Sequence, residues 1–120
     1  MERKYDLCDR TKAFALRVIR LYTALPKSGE AQVIGKQLLR SGTSVGAQYR
    51  EATRARSVAE FVSKIQASLQ ELEETLYWIE LLTDSGIVPA GKLADLIKEC
   101  GEITAILVAS VKTAKGRKQE

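Results

Sequence analysis

Apolar positions along this chain recur at steps of three and four rather than two, the periodicity of helices and not of strands. In a first stretch, about Asp9 to Leu25, the seam Leu7, Thr11, Phe14, Val18, Leu21 and Leu25 is widened by Ala15, Ile19 and Tyr22. Pro26 and the following Lys27-Ser28-Gly29 end it, because proline cannot donate the next helical hydrogen bond. A second stretch begins near Glu30 and puts Ala31, Ile34, Leu38, Ser41, Val45, Tyr49 and Ala52 on one face. The third is the most regular, with Val58, Val62, Ile65, Leu69, Leu72, Leu76 and Ile79 alternating steps of four and three. Ser57 with Glu60 three residues on predicts an N-terminal capping box, and Ser85-Gly86 predicts the stop. A fourth opens near Pro89 and presents Leu93, Leu96, Ile97, Cys100, Ile103, Leu107 and Val111. From Lys112 to Glu120 the chain reads as a short basic tail that frays.

Four apolar stripes joined by short connections are satisfied together by an all-α fold, an antiparallel up-down-up-down four-helix bundle formed by residues 1–120 as a single domain. The 3.5-residue period of the third helix predicts shallow left-handed crossings. One segment resists the pattern: Ser41-Gly42-Thr43-Ser44-Val45-Gly46 lies mid-helix, where each glycine costs about 1 kcal/mol relative to alanine. Close approach of a neighbouring helix is the expected compensation. A phosphate loop would need a preceding strand and a following Gly-Lys-Ser/Thr, and neither is present.

Composition narrows the chemistry. The 120 residues contain no histidine and two cysteines, Cys8 and Cys100, far apart in sequence, so zinc sites and histidine-based catalysis are not expected. Both thiols read as reduced packing residues. Carboxylates are plentiful, yet the Glu-x-x-His pairs of di-iron bundles are missing, and Glu73 and Glu80 at the edge of the third seam read as partners for arginine or the Ser/Thr cluster. No catalytic residue, metal or cofactor is expected. Without a signal-peptide pattern or a long apolar run, no membrane association is expected and the cytoplasm is the expected location.

Charge is unevenly distributed. Residues 1–56 carry 12 basic and 5 acidic side chains (+7), whereas residues 57–120 carry 7 and 10 (−3). On a helical wheel Lys36, Arg40, Arg50 and Arg54 share an arc opposite the second seam, and Arg10, Arg17 and Arg20 line one flank of the first helix. These seven are the candidate nucleic-acid contacts, suited to phosphates rather than to reading bases. Glu60, Glu71, Glu74 and Trp78 share an arc of the third helix facing away from its seam. An outward tryptophan on an acidic stripe predicts an oligomer interface; if the basic and acidic stripes meet between subunits the contact is head to tail, and where such a contact closes it makes a ring, the alternative being that both stripes are solvated faces.

The run Gln37-Leu38-Leu39-Arg40-Ser41-Gly42-Thr43-Ser44-Val45-Gly46-Ala47-Gln48-Tyr49-Arg50-Glu51-Ala52, with Glu60-Phe61 and Ser68-Leu69-x-Glu71-Leu72-Glu73-Glu74-Thr75 after it, resembles the four-helix-bundle family of the 23S rRNA intervening-sequence proteins, which includes accessory variability proteins of diversity-generating retroelements. Gln37, Arg40, Ser44, Glu51 and Ala52 fit the second-helix pattern, and Gln48 stands where the family usually has asparagine. The resemblance implies a ring of five bundles and, for the retroelement members, binding to nucleic acid and to a reverse transcriptase.

Two function classes follow. One is a non-enzymatic, homo-oligomeric accessory protein that holds RNA or DNA for a partner enzyme such as a reverse transcriptase. The other is a structural or protein-interaction bundle whose charged stripes are consumed in subunit assembly.

Overall fold

A computed structural model of the chain describes residues 6–119, with side chains through Arg117. The first residues, Tyr5 included, and Glu120 lie outside the described residues. Four helices follow in order: α1 (Leu7–Ala24), α2 (Gly29–Ala52), α3 (Val58–Asp84) and α4 (Ala94–Gln119), the last preceded by a 3-10 turn over Ala90–Leu93. Consecutive helices pack antiparallel, α4 returns beside α1, and the diagonal pairs stay apart, giving the up-down-up-down bundle. Its extents of 53 × 28 × 20 Å are those of two layers of two helices.

Local chemistry sets the ends. Asp6 caps α1 by accepting from the Cys8 and Asp9 amides at 3.0 and 3.3 Å. The helix closes at Ala24 because Pro26 forces Leu25 into extended backbone, with ψ 151°. Ser57 Oγ accepts the Glu60 amide at 3.0 Å, as the capping signal predicts. At the other end of α3, Gly86 turns the chain with φ 80°, a conformation that a Cβ would strain.

The core runs the length of the bundle through Phe14, Val18, Leu38, Val45, Ile65, Leu72, Ile79, Ile103 and Leu107, all buried. Its polar members are satisfied internally. Ser68 donates to the Val45 carbonyl at 2.8 Å, and Thr75 donates to Ser41 Oγ at 2.9 Å, tying α3 to α2. The small residues of α2 face α1 and let the two backbones approach. A Cβ built on Gly42 would lie 2.8 Å from both Val18 methyl groups, and one on Gly46 would lie 2.9 Å from Thr11 Oγ1. This is the compensation expected for glycine in mid-helix.

Three expectations need correction. The basic stretch from Lys112 does not fray but continues α4 to Gln119, held by burial of Val111 and Ala114. Ile19 and Ile97 lie outside the core, 40% and 37% exposed. Glu73 and Glu80 do not partner arginine or the Ser/Thr cluster; both are exposed, and neither carboxylate makes an ion pair among the described residues.

Candidate nucleic-acid interface

The seven basic candidates fall into separate places once the helices are assembled. On α1, Arg10, Arg17 and Arg20 lie on the flank that faces α4, away from α2. Arg10 donates from Nε to Glu99 Oε2 at 2.7 Å and from Nη2 to Glu99 Oε1 at 2.8 Å, and it also reaches Glu102 at 2.5 Å. This two-point contact raises the guanidinium pKa and holds the Glu99 carboxyl below its ordinary range. Arg10 is therefore a clasp between the two terminal helices. Arg17 and Arg20 instead edge a groove between the C-terminal end of α1 and the start of α4.

The α2 set divides as well. Arg40, near the middle of the helix, reaches across to α3, where it donates to Glu71 at 3.4 Å and pairs closely with Glu74. Lys36 and Arg50 are exposed and make no ion pair among the described residues. Arg54 is beyond the end of α2, exposed in the turn to α3, so the helical arc drawn from sequence stops short of it. There it lines a charged cleft with Glu51, Arg56, Glu60 and Lys64, in which Lys64 donates to Glu51 at 2.6 Å and its pKa rises accordingly.

A residue absent from the sequence-based set joins Arg50. Lys12 of α1 stands opposite it across a shallow groove of about 340 Å³ floored by Ala15, Thr43, Gly46 and Ala47. The small side chains that let α1 and α2 approach also keep this surface low, so an extended backbone can lie against it between two cations. A helical wheel carries the signal, since Lys12 falls on the opposite flank of α1 from Arg10 and Arg17.

The acidic arc of α3 also changes meaning. Glu71, Glu74 and Trp78 point along the flank that packs beside α2, which is why Arg40 can reach both carboxylates. Trp78 is not an outward side chain: it is half-buried against the core, with Nε1 donating to Glu74 Oε1 at 3.4 Å. Its ring meets Tyr77 edge-on, with centroids 5.1 Å apart, and Tyr77 is the exposed member at 52%. Glu60 sits five turns away in the first turn of α3, about 27 Å along the helix from Trp78.

The comparisons agree with this architecture. The profile of the 23S rRNA-intervening sequence protein family matches residues 3–109, nearly the whole bundle. The chain belongs to that family. A crystal structure of a protein of unknown function from the S23 ribosomal protein family, from Bacteroides thetaiotaomicron, superposes with a TM-score of 0.82 at 37% identity, covering 88% of this chain and 97% of that one. A search of curated proteins gave no match. Among the described residues no cluster of potential metal ligands occurs, and no helix is long and apolar enough to cross a membrane.

Proposed function

We propose that this family member is a homo-oligomeric accessory protein that holds RNA against the α1–α2 face of its bundle, without a catalytic role of its own. The observation that carries the reading is the pairing of Lys12 and Arg50 across the small-residue groove, with Lys36 exposed on the same side of α2 and none of the three neutralised by a carboxylate among the described residues. Cations that are not paired in cis are available to displace counterions from phosphates, and with no base-reading motif the contact is to the backbone. Arg10 and Arg40 contribute little to such a surface because their charge is committed to Glu99, Glu102, Glu71 and Glu74. Assembly would multiply the site: subunits of net charge +4 held together present several copies to one RNA. The finer reading, a ring of five bundles serving a reverse transcriptase, is supported by the family resemblance.

The test is binding of a structured RNA, followed by fluorescence anisotropy over a salt series, with light scattering to fix the assembly state. Lys36→Glu with Arg50→Glu is expected to weaken binding roughly tenfold or more and to flatten the dependence on salt by about one unit of slope per lost contact, with the particle size unchanged. Wild-type protein that ignores RNA at low salt would overturn the reading. A variant that falls apart into monomers would assign these cations to assembly instead.

A further inference from the structure

A second basic surface lies on the opposite side of α1 and has a different character. Where the C-terminal end of α1 meets the start of α4, a groove of about 560 Å³ is floored by the half-buried Leu21 and Ile87, with the buried Leu25 and Leu96 beneath them, between Pro26 and Pro89. Arg17 and Arg20 edge it on one side and Lys92 on the other. None of these three makes an ion pair among the described residues, and the seam between α1 and α4 is the least closely packed of the four in the bundle. The α1 wall, from Arg17 to Ala24, is about two helical turns long.

We propose that this groove docks an acidic amphipathic helix of a partner protein, its apolar stripe on the leucine floor and its carboxylates against Arg17, Arg20 and Lys92. The chemistry favours a protein segment over RNA. The floor is aliphatic and has no aromatic ring on which a base could stack. An aliphatic trough between two helix ends matches the leucines that such a helix presents at i, i+3, i+4 and i+7. Cations at both edges select acidic flanks and reject basic ones. RNA on the α1–α2 face and a protein on the α1–α4 face leave both sites open at once. The accessory role proposed above thereby gains a docking site for its partner, and the groove's occupancy can be tested separately from that role.

The probe is a fluorescein-labelled synthetic helix with leucines at those spacings and glutamates elsewhere, titrated with the full chain. Controls are a scrambled peptide of equal composition and the same helix with lysine in place of glutamate. Binding at least tenfold tighter than to either control is expected, with loss of that preference in Arg20→Glu, Lys92→Glu and none in Lys36→Glu, Arg50→Glu. Equal binding of the scrambled peptide, or an undiminished preference in Arg20→Glu, Lys92→Glu, would overturn the proposal, as would failure of the wild-type chain to bind the probe. If Arg20→Glu, Lys92→Glu instead dissociates a wild-type oligomer, the occupant is a second copy and the proposal falls. If the same pair abolishes RNA binding while Lys36→Glu, Arg50→Glu does not, the groove is the RNA site. RNA binding measured on the same wild-type sample separates failure of the groove from failure of the accessory reading.

Discussion

Arg10 and Glu99, 89 residues apart in sequence, meet through two parallel hydrogen bonds of 2.7 and 2.8 Å across the seam between the first and last helices. This seam has the fewest close backbone approaches of the four, so the clasp supplies a specific link where packing supplies least. Hydrogen bonding to Arg10 holds the Glu99 pKa below its ordinary value of 4.5 despite partial burial. A carboxylate with a depressed folded pKa stabilises the fold above its unfolded pKa, and that contribution is lost as pH falls through the lowered value. Glu99→Gln is therefore expected to cost about 1 kcal/mol at neutral pH, near the upper end for an ion pair still reached by solvent. In urea melts the gap between variant and wild type should narrow well below pH 4.5. A gap that stays constant with pH would show that the pair contributes through packing alone.

Two glycines in different helices should respond to alanine with opposite signs. At Gly42 the new methyl would lie 2.8 Å from both methyl groups of Val18, which is fully buried and has nowhere to move. Overpacking of this kind costs about 1–3 kcal/mol, more than the roughly 1 kcal/mol gained in helix propensity, so Gly42→Ala should lower the melting temperature. Gly101, in the exposed interior of α4, has open space where a methyl would project, with nothing within 4 Å. Gly101→Ala should therefore gain close to the roughly 1 kcal/mol of helix propensity and raise the melting temperature by several degrees. Thermal melts of the two variants side by side decide it.

The periodicity of α3, the cap at Ser57, the stop at Gly86 and the close approach at Gly42 and Gly46 are all legible in the sequence, because each depends on residues within a few positions or on a single helix face. What sequence does not carry is which neighbour each flank of a helix faces. A wheel places Glu71, Glu74 and Trp78 on one arc, but only the assembled bundle shows that arc lying beside α2, where it meets Arg40 and half-buries the indole. The same limit explains the split of the basic residues. Charge alone groups Arg10, Arg17 and Arg20 with the α2 stripe, yet they face α4, while Lys12 faces α2 and completes the groove with Arg50. The continuation of α4 past Lys112 is hidden for a related reason, since Ala114 is unremarkable in sequence and becomes an anchor only when it is buried.

Cys8 and Cys100 should differ sharply toward thiol reagents. Burial, with a smaller push from Glu99, raises the Cys100 pKa from 9.0 to about 12. At mildly alkaline pH its thiolate fraction falls by on the order of a thousandfold, and the core also blocks access. Cys8, half-buried at the start of α1, should be the thiol that iodoacetamide modifies in the folded protein, with Cys100 reacting only on unfolding. Mass spectrometry after timed alkylation in buffer and in urea reads both. Equal rates at the two positions in buffer would mean that the α4 core opens far more often than its packing implies.

Tyr77 and Trp78 allow assembly to be separated from folding. Because the indole packs against the core, Trp78→Ala is expected to cost about 2–4 kcal/mol of stability, so loss of an oligomer in that variant would follow from unfolding as readily as from a broken interface. Tyr77 touches the indole edge but is half exposed, so Tyr77→Ala should cost only about 1 kcal/mol, largely the edge-to-face contact. If the aromatic ridge of α3 is a subunit contact, Tyr77→Ala will lower the mass seen by light scattering at micromolar concentration while the far-UV spectrum and melting temperature stay close to wild type. An unchanged mass in a stably folded Tyr77→Ala would remove this ridge from the interface.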